Sequence, residues 1–189
     1  MTTPDVRRRK KHHGKQLRLT AAIAAAAALC SLPAAPAEAG DGGTSTSGSG
    51  ARTGKATLVN GKAIPPSDAP QRVVDVIAAA NHIRRKPYKW GGGHGSWNDS
   101  GYDCSGSVSY ALHGGRFLRH PLASGGLMHW RQPRKGSWIT VFANPGHAFM
   151  VVAGLRFDTS MVRGSGPGWS KDIHAENWRD FRKRHPRRY

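Results

Sequence analysis

Cysteine is scarce in this sequence. Cys30 and Cys104 are the two present in 189 residues, and no CxxC pair occurs. The histidines at 113, 120 and 129 lack a spacing typical of metal ligands, so we expect no structural zinc site. No strand followed by GxGxxG and no GK[ST] motif is found, which argues against a phosphate-binding loop. The sequence therefore implies neither a metal nor a cofactor.

Long apolar runs are also missing. The stretch LTAAIAAAAALCSL is too short to span a bilayer, and it follows a positive leader, RRRKKHHGKQLR. An A-x-A site ends at Ala39, and this order is typical of a secretory signal peptide over 1–39. Cleavage there removes Cys30 and leaves Cys104 alone, which excludes an internal disulfide in the mature chain. A lipoprotein anchored at Cys30 is not expected, because the bulky Leu29 precedes it.

Acidic residues are few, 11 against 29 lysines and arginines, and the formal net charge is +18. The leader carries 7 of these bases and 2 of the acids, so the mature chain keeps a charge of +13. Such a field favours an anionic partner: nucleic acid, an anionic membrane or an acidic wall polymer. No recognition-helix, zinc-finger or RNA-binding motif is present, so nucleic acid is not expected. Export to the cell surface favours the wall.

The mature chain divides into a linker and one domain. Glycine, serine and threonine dominate residues 40–66, which we predict to be a flexible linker before a domain at 67–189. A first helix is predicted to begin near Asp68, with that side chain as its cap, and to end at Pro87. Its apolar positions have helical spacing and predict core packing: Val73, Val76, Ile77, Ala80 and Ile83.

Cys104 stands in GYDCSGSVSYAL, at the predicted start of a second helix that ends at Gly114-Gly115. The amides and dipole of a helix N-terminus favour a thiolate, which is the nucleophilic form of cysteine. A structural cysteine would more naturally lie in mid-helix on the apolar face. Composition alone nevertheless leaves two roles open, a small buried side chain and a nucleophile.

The second half of the domain has strand patterns at 136–143, 147–154 and 155–160, with an Asn-Pro-Gly turn before the second. His147 begins that second strand. A nucleophilic cysteine needs a base within hydrogen-bond reach, and the base needs an orienting partner. Cys104 and His147 can meet only if this sheet packs on the helix of Cys104.

Three motifs together carry a family resemblance. PYKWGGG, then DCSG, then GHAFMVVAG resembles the NlpC family of papain-like cysteine peptidases, over about residues 72–160. The resemblance implies an α+β fold in which the Cys-bearing helix packs on an antiparallel sheet carrying the histidine. It also implies a secreted peptidoglycan endopeptidase that cleaves amide bonds in stem peptides, typically between D-glutamate and the diamino acid.

The same resemblance assigns roles to individual residues. Cys104 corresponds to the nucleophile and His147 to the general base. Tyr88 corresponds to a tyrosine beside the active site that contacts the oxyanion or the substrate. Asp103 and Ser105 correspond to residues that recognise the free amine of the stem peptide.

Structural explanations compete with some of these roles. Packing around a glycine turn explains Tyr88 as well as function does, and for Trp90 we expect core packing. Asp103 has a second possible role as a helix cap, which is compatible with recognition. The stretch 91–102 is longer than in many family members and adds Trp97.

Hairpin geometry predicts the third catalytic residue. A two-residue turn at 153–154 would pair Phe149 with Asp158 and place Asp158 on the face of His147, diagonal to it. A carboxylate there can accept the imidazole N–H and fix the ring's tautomer. We therefore choose Asp158 as the orienting residue.

Two other residues remain candidates for that role. Ser160 is the second choice, and a three-residue turn would flip the faces and favour Thr159. The competing structural explanation is that Asp158 pairs with a neighbouring base, Arg156 or Arg163.

Residues 177–189 carry six arginines or lysines. Trp178 and Phe181 predict that the first part of this segment packs on the domain, with Arg187 and Arg188 solvated. A solubilising tail and a site for anionic wall polymers both remain open.

We therefore expect a secreted, monomeric cysteine endopeptidase of the cell wall. Its chemistry would be thiolate attack by Cys104, proton transfer through His147, an acyl-enzyme and hydrolysis. An amidase or transpeptidase on the same fold is the first alternative. A non-catalytic wall-binding module is the second, and it predicts that Cys104 is dispensable.

Overall fold

Residues 54–160, 166–174 and 177–189 are described by a computed structural model, and they belong to one unit of the chain, 48–189. The signal peptide predicted over 1–39 and Arg163 lie outside the described residues. None of the helices in the described ranges is long and apolar enough to cross a membrane.

The described chain begins with a β-hairpin where the sequence predicted the end of a linker. Strand β1 (Thr57–Val59) pairs antiparallel with β2 (Lys62–Ile64). The turn between them, Asn60-Gly61, has φ values of 49° and 72°. Asn-Gly is a strong signal for a two-residue hairpin turn, because both positions tolerate positive φ. The predicted linker over 40–66 is therefore corrected: its residues 54–66 are folded.

Helix α1 (Gln71–Ile83) buries the apolar stripe that its spacing predicted. Asp68 does not cap it, so that prediction is wrong: Pro70 is the N-cap residue, without a side-chain hydrogen bond. The Asp68 carboxylate instead accepts a hydrogen bond from the backbone N–H of Gly54 at 2.8 Å. The helix ends well before Pro87.

Helix α2 (Cys104–Gly114) starts at the cysteine, as predicted. It packs against α1 and against the sheet, and its buried apolar side chains are Val108, Ala111 and Leu112. A short helix, α3 (Ser124–Leu127), follows and contributes Leu127 to the same core.

Within the described residues, six strands form an antiparallel sheet in the order β3-β8-β4-β5-β6-β7. Three of them match the predicted strand patterns, with shorter ends. The strands are β3 (Gln132–Pro133), β4 (Ile139–Ala143), β5 (Ala148–Val152), β6 (Leu155–Asp158), β7 (Gly168–Ser170) and β8 (Arg182–His185). Because β8 lies between β3 and β4, the basic C-terminal segment is part of the domain.

The two faces of the sheet pack differently. On one face, alternate residues such as Met150 and Val152 join the core under the helices. On the other, Phe142, Phe149 and Phe181 form a separate aromatic cluster. The prediction of an α+β fold, with a Cys-bearing helix on an antiparallel sheet, is confirmed.

Candidate active site

The thiol of Cys104 lies at the first residue of α2 and is half-buried. Asp103 caps this helix, since its Oδ1 accepts the backbone N–H of Gly106 at 2.7 Å. A Cβ on Gly106 would collide with the carbonyl of Gly92, so glycine allows the helix start to approach the glycine-rich loop. The sulfur therefore lies at the positive end of the helix dipole.

His147 stands just before β5, where the Asn-Pro-Gly turn fixes its backbone. The Asn144 side chain accepts the N–H of His147 at 2.8 Å. The imidazole Nε2 lies 2.9 Å from Oδ1 of Asp158, and the ring is 30% exposed. Because a carboxylate only accepts hydrogen bonds, Nε2 must carry a proton in this contact. The other ring nitrogen, Nδ1, is then the atom that can exchange a proton with a second group.

The contacts of His147 shift its protonation equilibrium. Burial alone would lower the pKa of His147, but hydrogen bonds to Asp158 and to Cys104, with the charges of both groups, raise the pKa to about 9. The ring is therefore mainly protonated at neutral pH. The protonated imidazole therefore lies beside the sulfur of Cys104.

Asp158 is fully buried, and its carboxylate is shared among three partners. Oδ1 binds His147, while Oδ2 accepts hydrogen bonds from Arg156 and from the Ser160 hydroxyl. Burial alone would raise the pKa of Asp158, but the hydrogen bond from His147 and the charges of His147 and Arg156 lower it below its usual range. Asp158 therefore pairs with Arg156 and contacts His147 at the same time, so the structural explanation and the orienting role are compatible.

The hairpin register agrees with the prediction. Val152 pairs with Leu155 and Val151 with Arg156, around the two-residue turn at 153–154. Thr159 and Ser160 were the two alternatives for the orienting residue. Thr159 is buried, and the Ser160 hydroxyl is directed to Asp158.

Cys104 opens into a groove of about 390 Å³. One wall comes from the loop before α2, and the other from residues near α3 and the turn before β5. The lining residues are Tyr88, Trp90, Gly91, His94, Asp103, Cys104, Ser105, Ala123, Ser124, Pro145 and Gly146. All three residues expected to contact substrate, Tyr88, Asp103 and Ser105, therefore line the groove.

Tyr88 and Trp90 place aromatic surface at the rim of this groove. Tyr88 is 41% exposed, and burial, then the charges of Cys104 and Asp103, raise its pKa. Trp90 is 88% exposed, so the expectation that it packs in the core is wrong. The parallel bridge between Tyr88 and Tyr102 fixes this segment beside the start of α2.

Sequence reasoning missed His94. Its Nε2 lies 3.1 Å from Oδ1 of Asp103 and 3.1 Å from Oγ of Ser105, the two residues expected to read the substrate amine. The sequence feature that could have identified His94 is its position in GGGHGS, within the unusually long loop 91–102. A histidine among glycines has no packing role of its own.

Within the described residues, no group of three histidine, cysteine, aspartate or glutamate side chains could hold a metal ion. A nucleophilic sulfur, a protonated imidazole and a buried carboxylate form a chain suited to acyl transfer.

Comparison with known proteins gives structural matches. No protein-family model and no curated protein matches the chain. Among solved structures, RipB from Mycobacterium tuberculosis, described as a peptidoglycan hydrolase, is 26% identical over 65% of this chain and 68% of its own, with a TM-score of 0.49. The P60 domain of an antigen from M. avium subspecies paratuberculosis is 22% identical over 60% and 94%, with a TM-score of 0.47.

A further match is a lipoprotein-like member of the NLP/P60 family from Staphylococcus aureus. It is 18% identical over 65% of this chain and 44% of its own, with a TM-score of 0.47. The predicted NlpC-type resemblance thus has counterparts among solved NlpC/P60 structures. Each TM-score is below 0.5, so we base the proposed function on the contacts around Cys104.

Proposed function

We propose that this chain is a secreted cell-wall hydrolase, a cysteine endopeptidase that cleaves amide bonds in peptidoglycan stem peptides. The observation that carries the proposal is the chain of contacts from Cys104 through His147 to Asp158, at the edge of an open groove. A cysteine kept only for packing needs neither a raised histidine pKa beside it nor a buried carboxylate behind that histidine.

The contacts support a two-step acyl transfer. The Cys104 thiolate attacks the amide carbonyl, and a C–S bond forms while the carbonyl oxygen becomes anionic. His147 then donates its Nδ1 proton to the departing amine as the C–N bond breaks, which leaves an acyl-enzyme. In the second step neutral His147 takes a proton from water, hydroxide attacks the thioester, and the thiolate leaves.

Tyr88 has the chemistry to support the anionic intermediate. Its raised pKa keeps the phenol protonated at neutral pH, so the hydroxyl remains a hydrogen-bond donor. A donor at the rim of the groove favours the oxyanion over the neutral carbonyl. Asp158 stays ionised and holds the imidazolium in place, as an orienting carboxylate does.

The basic surface fits an anionic environment. We assign acidic wall polymers as secondary partners, because the mature chain would keep a net charge of +13 and Arg187 and Arg188 are exposed. Such a contact would retain the enzyme near its substrate without a dedicated binding pocket.

The test is digestion of purified peptidoglycan, with fragments identified by mass. The wild-type chain should release fragments cut within the stem peptide, and Cys104→Ala should release none while keeping its fold and wall binding. A thiol alkylator should abolish cleavage and a chelator should not.

Other outcomes would favour the alternatives. Fragments cut between glycan and peptide indicate an amidase, and new cross-links in place of free ends indicate a transpeptidase. Wall binding without cleavage by the wild-type chain would support the binding module instead.

A further inference from the structure

A second groove, of about 360 Å³, lies between α1 and α2 and shares no lining residue with the groove of Cys104. Loop 91–102 contributes two of its lining residues. Its larger side chains are four rings and one amide: His82, Trp97, Tyr110, His113 and Asn98. We call it the helix groove, and its volume is in the range of small-molecule sites.

Small residues keep the helix groove open. Ala79 and Gly114 line it where α1 packs on α2. A Cβ added to Gly114 would lie 2.3 Å from the Cβ of Ala79, so the two helices approach closely at this point. The groove is therefore bounded there by backbone and a methyl group, and no long side chain fills it.

The rings of the helix groove lie in two stacked pairs. Trp97 and His113 are nearly parallel, with 4.0 Å between centroids and 7° between planes, and His82 and Tyr110 lie at 6.3 Å and 16°. The His113 ring is fixed, because its Nδ1 donates to the carbonyl of Leu118 at 2.9 Å. Trp97 belongs to neither apolar core cluster of the described residues, so core packing does not explain it.

Loop 91–102 holds Trp97 in place before any ligand arrives. The Tyr102 hydroxyl donates to the carbonyl of Trp97 at 2.5 Å. Earlier in the loop, Asp99 accepts the N–H of Gly93 at 3.1 Å and binds Nζ of Lys89 at 2.7 Å. A surface that is fixed in advance loses little conformational entropy on binding.

The helix groove carries polar groups without partners but few charges. No lysine, arginine, aspartate or glutamate is among its described lining residues, although the chain has 29 lysines and arginines. The Asn98 side-chain amide and the Tyr110 hydroxyl have no hydrogen-bond partner among the described residues. Burial raises the pKa of Tyr110, so its hydroxyl remains a donor at neutral pH.

This combination of groups fits an uncharged sugar. The flat face of a ring is apolar and packs on the C–H face of a sugar, while neutral donors and acceptors suit its hydroxyl and acetamide groups. Bases of a nucleic acid also stack on aromatic rings, but their phosphates need lysines or arginines, which do not line this groove.

We propose that the helix groove binds the glycan strand of peptidoglycan through an N-acetylated amino sugar, which stacks on the Trp97 ring and bonds to Asn98 and Tyr110. The identity of the glycan rests on the proposed function. Loop 91–102 places His94 in the groove of Cys104 and Trp97, three positions later, in the helix groove. Glycan held there would keep its attached stem peptides near Cys104.

The test is an NMR titration with a tetramer of N-acetylglucosamine, which is uncharged and carries no peptide. The wild-type chain should show saturable shifts of the Trp97 and Tyr110 signals. Added salt should leave the Kd unchanged, because no ion pair is there to be screened. Trp97→Ala should raise the Kd about tenfold, and Trp97→Phe, which keeps a ring, should raise it less.

Two milder variants separate sugar binding from folding. Asn98→Ala and Tyr110→Phe remove groups that have no partner in the described protein, so each should raise the Kd about threefold without changing the melting temperature. His129→Ala, at an exposed histidine that lines neither groove, is the control and should leave the Kd in place. If Trp97→Ala does not fold, these variants still decide.

Failure of this inference differs from failure of the proposed function. Wall cleavage without saturable sugar binding, or binding that Asn98→Ala and Tyr110→Phe leave unchanged, overturns the glycan site alone. Loss of sugar binding in Trp90→Ala, with Trp97→Ala unaffected, would place the sugar at the groove of Cys104 and overturn it too. Sugar binding by a wild-type chain that cleaves no wall keeps the glycan site and overturns the hydrolase.

Discussion

Nε2 of His147 lies 2.9 Å from Oδ1 of Asp158, across the hairpin of β5 and β6, while Arg156 binds the other carboxylate oxygen. Removing a carboxylate from water is costly unless cations and hydrogen bonds compensate. Arg156 is itself buried, donates to the carbonyl of His174 at 2.6 Å and lies 4.4 Å over the Phe149 ring. The buried cation keeps Asp158 ionised, and the ionised Asp158 orients His147.

Titration of His147 should show both of its partners. Its wild-type midpoint is expected near 9, and Asp158→Asn and Cys104→Ala should each lower it, because each removes a hydrogen bond and a negative charge. NMR of the imidazole protons measures this midpoint directly. Asp172→Asn, which removes an exposed carboxylate, is the control and should leave it in place. A midpoint that Asp158→Asn does not move would contradict the orienting role.

Asp158→Asn should also change catalysis in a pH-dependent way. The alkaline limb of the rate profile reports loss of the imidazolium, so it should move to lower pH in the variant. We expect kcat/KM at neutral pH to fall by about 10²- to 10⁴-fold, less than in Cys104→Ala. A rate profile shifted to higher pH would be incompatible with this assignment.

Stability should depend on pH through the same histidine. The folded pKa of His147, about 9, lies above its ordinary value of 6.5, so its contribution is fully present below 6.5 and is lost as pH rises through 9. Urea unfolding at about pH 6 and about pH 10 measures the difference. His147→Gln should make the free energy of unfolding depend less on pH. An equal pH dependence in the wild-type chain and the variant would argue against this contribution of His147.

Phe181 packs against His147 from the C-terminal segment. It is 8% exposed, and its ring lies 5.1 Å from Phe149 and 6.2 Å from the imidazole of His147, centroid to centroid. Phe181→Ala should lower the free energy of unfolding by about 3–5 kcal/mol, through the cavity it leaves, and reduce turnover. Val59→Ala, at an exposed apolar position of β1, is the control and should stay near wild type.

Trp90 should matter for binding and not for folding. Its ring is almost entirely exposed at the rim of the groove, so it has little packing to lose. Trp90→Ala is expected to raise KM for wall fragments about tenfold while leaving the melting temperature unchanged. Loss of stability with an unchanged KM would indicate that the ring packs after all.

The exposed arginines near the C-terminus provide a test of wall retention. Tyr189 packs at 5.0 Å from the Phe117 ring, so truncation after residue 186 would also disturb the core. Arg187→Ser combined with Arg188→Ser keeps that contact. The double variant should bind walls less tightly at low salt, with a flatter salt dependence, since fewer charges are screened. Retention equal to wild type would leave these arginines as solubilising residues.

Local sequence patterns determined the elements that position Cys104, His147 and Asp158. Asp103 before Cys104 predicted a helix start, and the Asn-Pro-Gly turn predicted that His147 opens a strand. A two-residue turn at 153–154 was enough to place Asp158 on the side of His147, because side chains alternate along paired strands. Each of these inferences uses contacts between residues close in sequence.

Long-range contacts decided the rest. Asp68 was expected to cap α1, but a backbone donor 14 residues earlier claims its carboxylate. The basic C-terminus proved to be strand β8, inserted between β3 and β4, which no local pattern specifies. Trp90 is exposed instead of packing in the core. His94 lies beside Asp103 because the loop 91–102 folds back on the start of α2. Sequence periodicity reports which face of an element is apolar, whereas the partner of a polar side chain depends on which segments the tertiary fold brings together.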